Sequence, residues 1–152
     1  MDDFTIPDDT ACVRSLLILD ADLRLLVTDN DTNGDERVNV YCQELPETLA
    51  NAQARNAVVV QDATGGPGPQ GYSHLREPYY NVYCLGETPE MAKLVYLRVH
   101  EILRQVRRQV VDTCLFHSFD QVNPPSAKRD AQTKWPYSLS VWKSLSSDVP
   151  AT

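Results

Sequence analysis

The sequence predicts an α+β fold in which four to five mostly antiparallel strands pack against two helices, all within one domain spanning residues 1–152. Three observations carry this. Apolar and polar residues alternate with period two at 38–42, 79–85 and 137–142, which marks strands. Ala92, Val95, Tyr96, Val99, Ile102, Leu103 and Val106 recur at helical spacing and form one apolar stripe. Between these periodic runs lie segments rich in Gly, Pro, Asn and Asp, which break elements.

The elements follow in order. Residues 1–9 form an acidic arm. Asp9 or Thr10 can cap a first helix carrying Val13, Leu16, Leu17 and Ile18. Asp20 offers a second start, with Leu23, Leu26 and Val27 on the apolar side, so 10–28 reads as two linked pieces. A polar turn covers 29–36, then Val38, Val40 and Cys42 alternate with Asn39 and Tyr41 in a strand. Pro46 opens a polar connection to Asn56, and Ala57–Gln61 is apolar on both faces, as an inner strand is. Residues 62–71, with four glycines and two prolines, make a long hairpin loop leading into the strand 72–85. Gly86 permits a bend, Thr88 can cap the long helix, and Pro89 suits its first turn. A strand is expected at 111–119, an irregular loop at 120–136 where Pro124 and Pro125 exclude helix, a last strand at 137–142 and a tail at 145–152.

Composition bounds the function. Hydrophobic content of 42% and charged content of 23% are those of a soluble globular protein, and no run approaches the ~20 apolar residues of a membrane span. The acidic N-terminus lacks the basic-then-apolar order of a signal peptide, so the protein is expected to begin life in a cytoplasm. Cys12, Cys42, Cys84 and Cys114 are far apart with no metal-ligand spacing, so they are expected to be reduced core thiols. The net charge of -7 is segregated: residues 1–50 carry twelve acidic side chains against three arginines, whereas the remainder is slightly basic. That distribution argues against general nucleic-acid binding and suits head-to-tail self-association.

Few motifs carry chemistry. Asp29, Asp31, Asn33 and Asp35, with Gly34 at the sixth position, match the first half of a calcium loop. The second half fails, with Glu36 at position eight and Val40 at position twelve, and any turn prefers the same residue types. The segment is therefore read as an acidic turn, with calcium binding as the alternative. His74, His100 and His117 are scattered, and no nucleophile elbow, zinc-protease or phosphate-loop pattern is present, so no catalysis and no cofactor are expected. On the long helix, Lys93, His100, Arg104, Arg107 and Arg108 project opposite the apolar stripe, with Leu94 and Leu97 among them. Such a face is either solvated or a protein interface in which the leucines anchor and the arginines pair.

The order of these elements resembles the tail terminator, or tail-completion, proteins of long-tailed bacteriophages. The likeness is carried by LLILDADLRLLVTD (16–29), RVNVYCQELPE (37–47), AVVVQDATGG (57–66) and REPYYNVYCLGETPEMAKLVYLRVHEIL (76–103), about two thirds of the chain. The resemblance implies a structural virion protein of the tail or neck. Such a protein forms a homo-hexameric ring on the head-proximal end of the tail tube, stops tube polymerisation and docks the head connector. Its partners would be itself, the tail tube protein and a head-completion protein, with DNA passing through the channel without specific binding. The implied contacts are Gly65, Gly66, Pro67, Tyr72 and Arg76 of the hairpin, together with Leu94, Leu97, Arg104, Arg107 and Arg108. A connector or stopper protein of the neck is the nearest alternative.

Overall fold

The computed structural model describes residues 9–30, 33–46, 54–63, 75–131 and 133–148. Two short helices come first, α1 (Asp9–Ile18) and α2 (Ala21–Val27). Asp20 makes the corner between them by accepting a hydrogen bond from the Leu23 amide at 2.8 Å, the N-cap of α2. Val13, Leu16, Leu17, Leu23 and Val27 bury the apolar sides of both helices. Strands β1 (Thr28–Asn30) and β2 (Glu36–Val38) then form a two-stranded antiparallel sheet, with Asp29 opposite Arg37.

The main sheet contains β3 (Val40–Cys42), β4 (Ala57–Ala63), β5 (Leu75–Arg76), β6 (Tyr79–Leu85), β7 (Gln109–Val111), β8 (Cys114–Arg129) and β9 (Pro136–Asp148). Its order is β3-β4-β6-β9-β8-β7, and β5 adds to β9. The β3–β4 pair is parallel and the remaining pairs are antiparallel. Between β6 and β7 runs α3 (Pro89–Arg104), capped by the Thr88 hydroxyl accepting from the Met91 amide at 3.2 Å, with Pro89 in its first turn.

One face of the sheet carries the helices. Every member of the predicted stripe, from Ala92 to Leu103 and on to Val106 past the helix end, is buried. Tyr80, Val82 and Cys84 of β6 meet it from the sheet, and their cross-strand partners in β9 are Trp142, Ser140 and Ser138. Thus it is the serine side of β9 that is buried, and the side bearing Tyr137, Leu139 and Val141 is half-exposed. Small side chains leave room for α3, and two hydroxyls are used internally: Trp142 Nε1 donates to Ser140 Oγ at 3.0 Å, and Ser144 Oγ lies 2.9 Å from Tyr80 Oη. On the other face a smaller cluster gathers Ala57, Val59 and Leu85 round fully buried Trp135.

Gly86 serves close approach more than flexibility. A β-carbon there would lie 2.3 Å from the Ala92 amide nitrogen, inside the backbone of the first turns of α3.

The α+β class is as expected, but the element count is larger: three helices and a seven-stranded sheet plus a two-stranded one among the described residues. The extra strands are short (β5, β7) or come from dividing a run. Residues 109–119 hold a tight hairpin whose turn residue Asp112 takes φ 52°, where one strand was expected. The largest correction concerns 120–136, expected to be an irregular loop. Instead β8 continues to Arg129, and the register irregularity between Asn123 and Ser126 accommodates Pro124 and Pro125. The expected tail at 145–152 is likewise strand through Asp148, because β5 and β8 flank it. The tip of the hairpin loop 62–71 lies outside the described residues beyond Ala63, as does most of the acidic arm 1–9.

Candidate interaction surfaces

The outward face of α3 presents Leu94 and Leu97, 49% and 45% exposed, as the helical phase predicts. Arg104 is exposed at the last helical position, 3.1 Å from Glu101. The basic face expected to continue from it does not form. Arg107 and Arg108 lie beyond the helix, where Arg107 Nη1 donates to the carbonyls of Arg104 at 3.0 Å and Val106 at 2.7 Å, closing the helix C-terminus. Arg108 takes φ 48° and leads into β7. His100 turns towards the sheet, its ring 5.9 Å from Tyr96 and 5.6 Å from Trp142. A basic stripe through Arg108 would need helix to residue 108, whereas the helix ends four residues earlier.

Among the hairpin candidates, Arg76 forms a two-pronged ion pair with Asp9, both bonds at 3.0 Å, which ties the start of α1 to β5. Gly65, Gly66, Pro67 and Tyr72 lie outside the described residues.

The acidic turn has a different occupant from a metal. Arg37 reaches both Asp29 oxygens at 2.9 and 3.1 Å, and Arg55 reaches one at 2.7 Å. Burial pushes the Asp29 carboxyl up, but hydrogen bonds from Arg37 and Asn39 and the charges of Arg37 and Arg55 outweigh it and hold the group below its ordinary value. Two guanidinium groups therefore neutralise the residue that would be the first calcium ligand, and Val40 at the twelfth position is fully buried. Asp31 lies outside the described residues, while Asn33 and Asp35 are themselves engaged. Among the described residues no three His, Cys, Asp or Glu side chains converge to hold a metal ion. All four cysteines are free thiols, and full burial pushes the Cys84 thiol well up.

One concave surface among the described residues was announced by no sequence pattern. A groove of about 650 Å³ runs between the first turns of α3 and the far end of the β8–β9 hairpin. Ala92, Tyr96, Pro125 and Ala127 supply an apolar floor and walls. Lys93, Lys128 and Arg129 stand round it as cations, against the carboxylate of Glu90. The available signal was the pairing of Pro124 and Pro125 with Lys128 and Arg129 in one segment, which has the composition of a loop. A second depression of about 620 Å³ is lined by His100, Arg104, Arg107, Phe119, Asp120 and Trp142. The helix-free face of the sheet adds half-buried Tyr83 and Tyr137, ring centroids 5.6 Å apart.

No family model matches the chain, and no curated protein matches its sequence. Its fold is similar to that of a chain in the solved virion of a native gene transfer agent (GTA) particle. The two are 18% identical with a TM-score of 0.61, and the alignment covers 91% of this chain and 93% of that one. At that identity the likeness shows a shared fold.

Proposed function

We propose that this chain is a structural protein of a phage-like virion, acting as the ring that caps the head-proximal end of the tail tube. In this role it halts tube growth and offers its opposite face to the head connector, and it works by assembly alone, with no cofactor. The observation that carries the reading is the fold likeness to a virion chain over nearly the whole of both molecules. The sequence-level resemblance to tail terminators, drawn from different information, narrows it to the head-proximal end. The surfaces suit such a role, since a ring with axial partners needs two unlike lateral faces and two further faces. The chain offers exposed leucines on α3, a basic-rimmed groove and a tyrosine-bearing sheet face as separate patches.

The test is electron microscopy of the protein mixed with assembling tail tube protein from the same genome. Rings at one end of tubes that have stopped growing support the proposal. Uncapped, growing tubes overturn it, and capture of the connector protein instead would move the chain to the neck as a stopper.

A further inference from the structure

We infer that the groove between α3 and the β8–β9 hairpin receives the acidic segment 1–8 of a second copy of this chain, joining subunits head to tail. This rests on the ring reading only for closure into a ring; the contact itself stands on the following observations.

The chemistry of segment and groove is complementary. Residues 1–8 read Met-Asp-Asp-Phe-Thr-Ile-Pro-Asp. In an extended conformation Phe4 and Ile6 share one side, since side chains two apart line the same face. Asp2, Asp3 and Asp8 supply three carboxylates round that apolar pair. The groove inverts this arrangement, with an apolar floor of Ala92, Tyr96, Pro125 and Ala127 inside a rim of Lys93, Lys128 and Arg129. Aromatic and proline-lined grooves suit extended segments, which already lack internal hydrogen bonds to break.

Geometry requires a second copy. The segment is joined in sequence to Asp9, which is held by Arg76 at 3.0 Å and accepts from Cys114 Sγ at 3.1 Å. Arg76 is paired in register with Ser146 of β9. The groove lies at Tyr137 and Ser138, at the opposite end of the same strand. Eight to nine strand residues separate the two places, about 30 Å at ~3.4 Å per residue. Ile6 and Phe4 stand three and five residues before Asp9, so their reach is at most roughly 10 and 18 Å. Neither can enter the groove of its own chain. A donor site at one end of β9 and an acceptor at the other make a heterologous contact, the kind that closes into rings.

The experiment is sedimentation velocity of the full chain with two variants. The arm variant carries Phe4→Asp and Ile6→Asp, and the groove variant carries Lys93→Glu and Lys128→Glu, both at exposed positions. The wild type should sediment as an oligomer, and each variant alone should self-associate about tenfold more weakly or worse. An equimolar mixture of the two should give a dimer and nothing longer, because one intact arm and one intact groove remain. Joining Asp2→Lys and Asp3→Lys to the groove variant should restore association, an outcome that misfolding cannot produce. A monomeric wild type, an arm variant with the wild-type distribution, or a mixture that stays monomeric overturns the inference, as does failure of the charge swap. An arm variant that remains a ring and caps tubes refutes the arm while keeping the tail reading. An arm-dependent oligomer that leaves tubes uncapped does the reverse.

Discussion

Replacing Gly86 by alanine separates two explanations of the same residue. If the corner between β6 and α3 only needs a flexible hinge, alanine should stabilise the protein by about 0.4–1 kcal/mol, because it restricts the unfolded chain. The structure gives the opposite sign. The added β-carbon would sit 2.3 Å from the Ala92 nitrogen and 2.8 Å from both the Ala92 α-carbon and the Met91 carbonyl carbon. To reach ordinary contact α3 would have to withdraw by roughly 1 Å, a distance over which packed atoms lose much of their attraction. Val95, Val99 and Leu103 on that helix are fully buried and resist the withdrawal. Overpacking of this kind costs about 1–3 kcal/mol, and the upper end applies because the obstacle is backbone. Set against the entropic gain, a net loss of about 2 kcal/mol remains, which for a chain of this size lowers Tm by roughly 4–8 °C. Circular dichroism melts of the wild type and Gly86→Ala measure it directly. A variant that melts at or above the wild-type temperature would refute the close approach and restore the hinge.

Four further outcomes are expected. Trp135→Ala should cost about 3–5 kcal/mol in denaturant unfolding, since the buried indole centres the cluster on the helix-free face. Asp20→Ala removes the α2 cap and the partner of Arg98, for about 1–2 kcal/mol at neutral pH. Hydrogen bonds from Arg98 hold the Asp20 carboxyl below its ordinary value, so its contribution is full above about pH 4 and fades as pH falls through the lowered value; melts from pH 6 to 3 should show the gap between wild type and variant closing in acid. Leu97→Asp should leave unfolding within about 0.5 kcal/mol of wild type while weakening partner contacts in pull-downs, and unfolding of that variant would place Leu97 in the core. Calorimetric titration with millimolar calcium should show no saturable binding, because Arg37 and Arg55 already neutralise Asp29.

Local signals made the helices and the central strands legible. The Asp20 break, the Thr88 cap and the stripe from Ala92 to Val106 depend on spacing within one element, and each stands where the spacing puts it. What escaped was set by partners distant in sequence. Residues 120–129 look irregular because their apolar content is low and two prolines interrupt them, yet β9 supplies the hydrogen-bonded edge that makes them strand. In the same way Ser138, Ser140 and Ser144 resemble surface composition until α3 is laid over them. The candidate interface was half legible. Leu94 and Leu97 are exposed as the helical phase requires, whereas Arg107 and Arg108 followed from a helix drawn four residues too long, and His100, within the helix, turns its ring to Trp142 of the sheet.

The charge segregation also changes meaning once the chain is folded. In the sequence an acidic first third and a mildly basic remainder invite pairing between neighbouring molecules. In the structure much of that attraction is used within one molecule. Asp9 meets Arg76, Asp20 meets Arg98 and Asp29 meets Arg55, so three carboxylates of α1, the helix corner and β1 are each held by a guanidinium from the later part of the chain. The side chains of these pairs are 12–32% exposed, and solvent screening limits what each contributes to stability. Their effect is on placement: they fix both helices and the small β1–β2 sheet against β4, β5 and α3. They also remove these carboxylates from the set available to a partner. The carboxylates of residues 1–8 precede the first of these pairs, and the cations of the groove rim belong to none of them. A contact between copies driven by charge is therefore best sought between those two groups, rather than between the acidic and basic portions of the sequence as wholes.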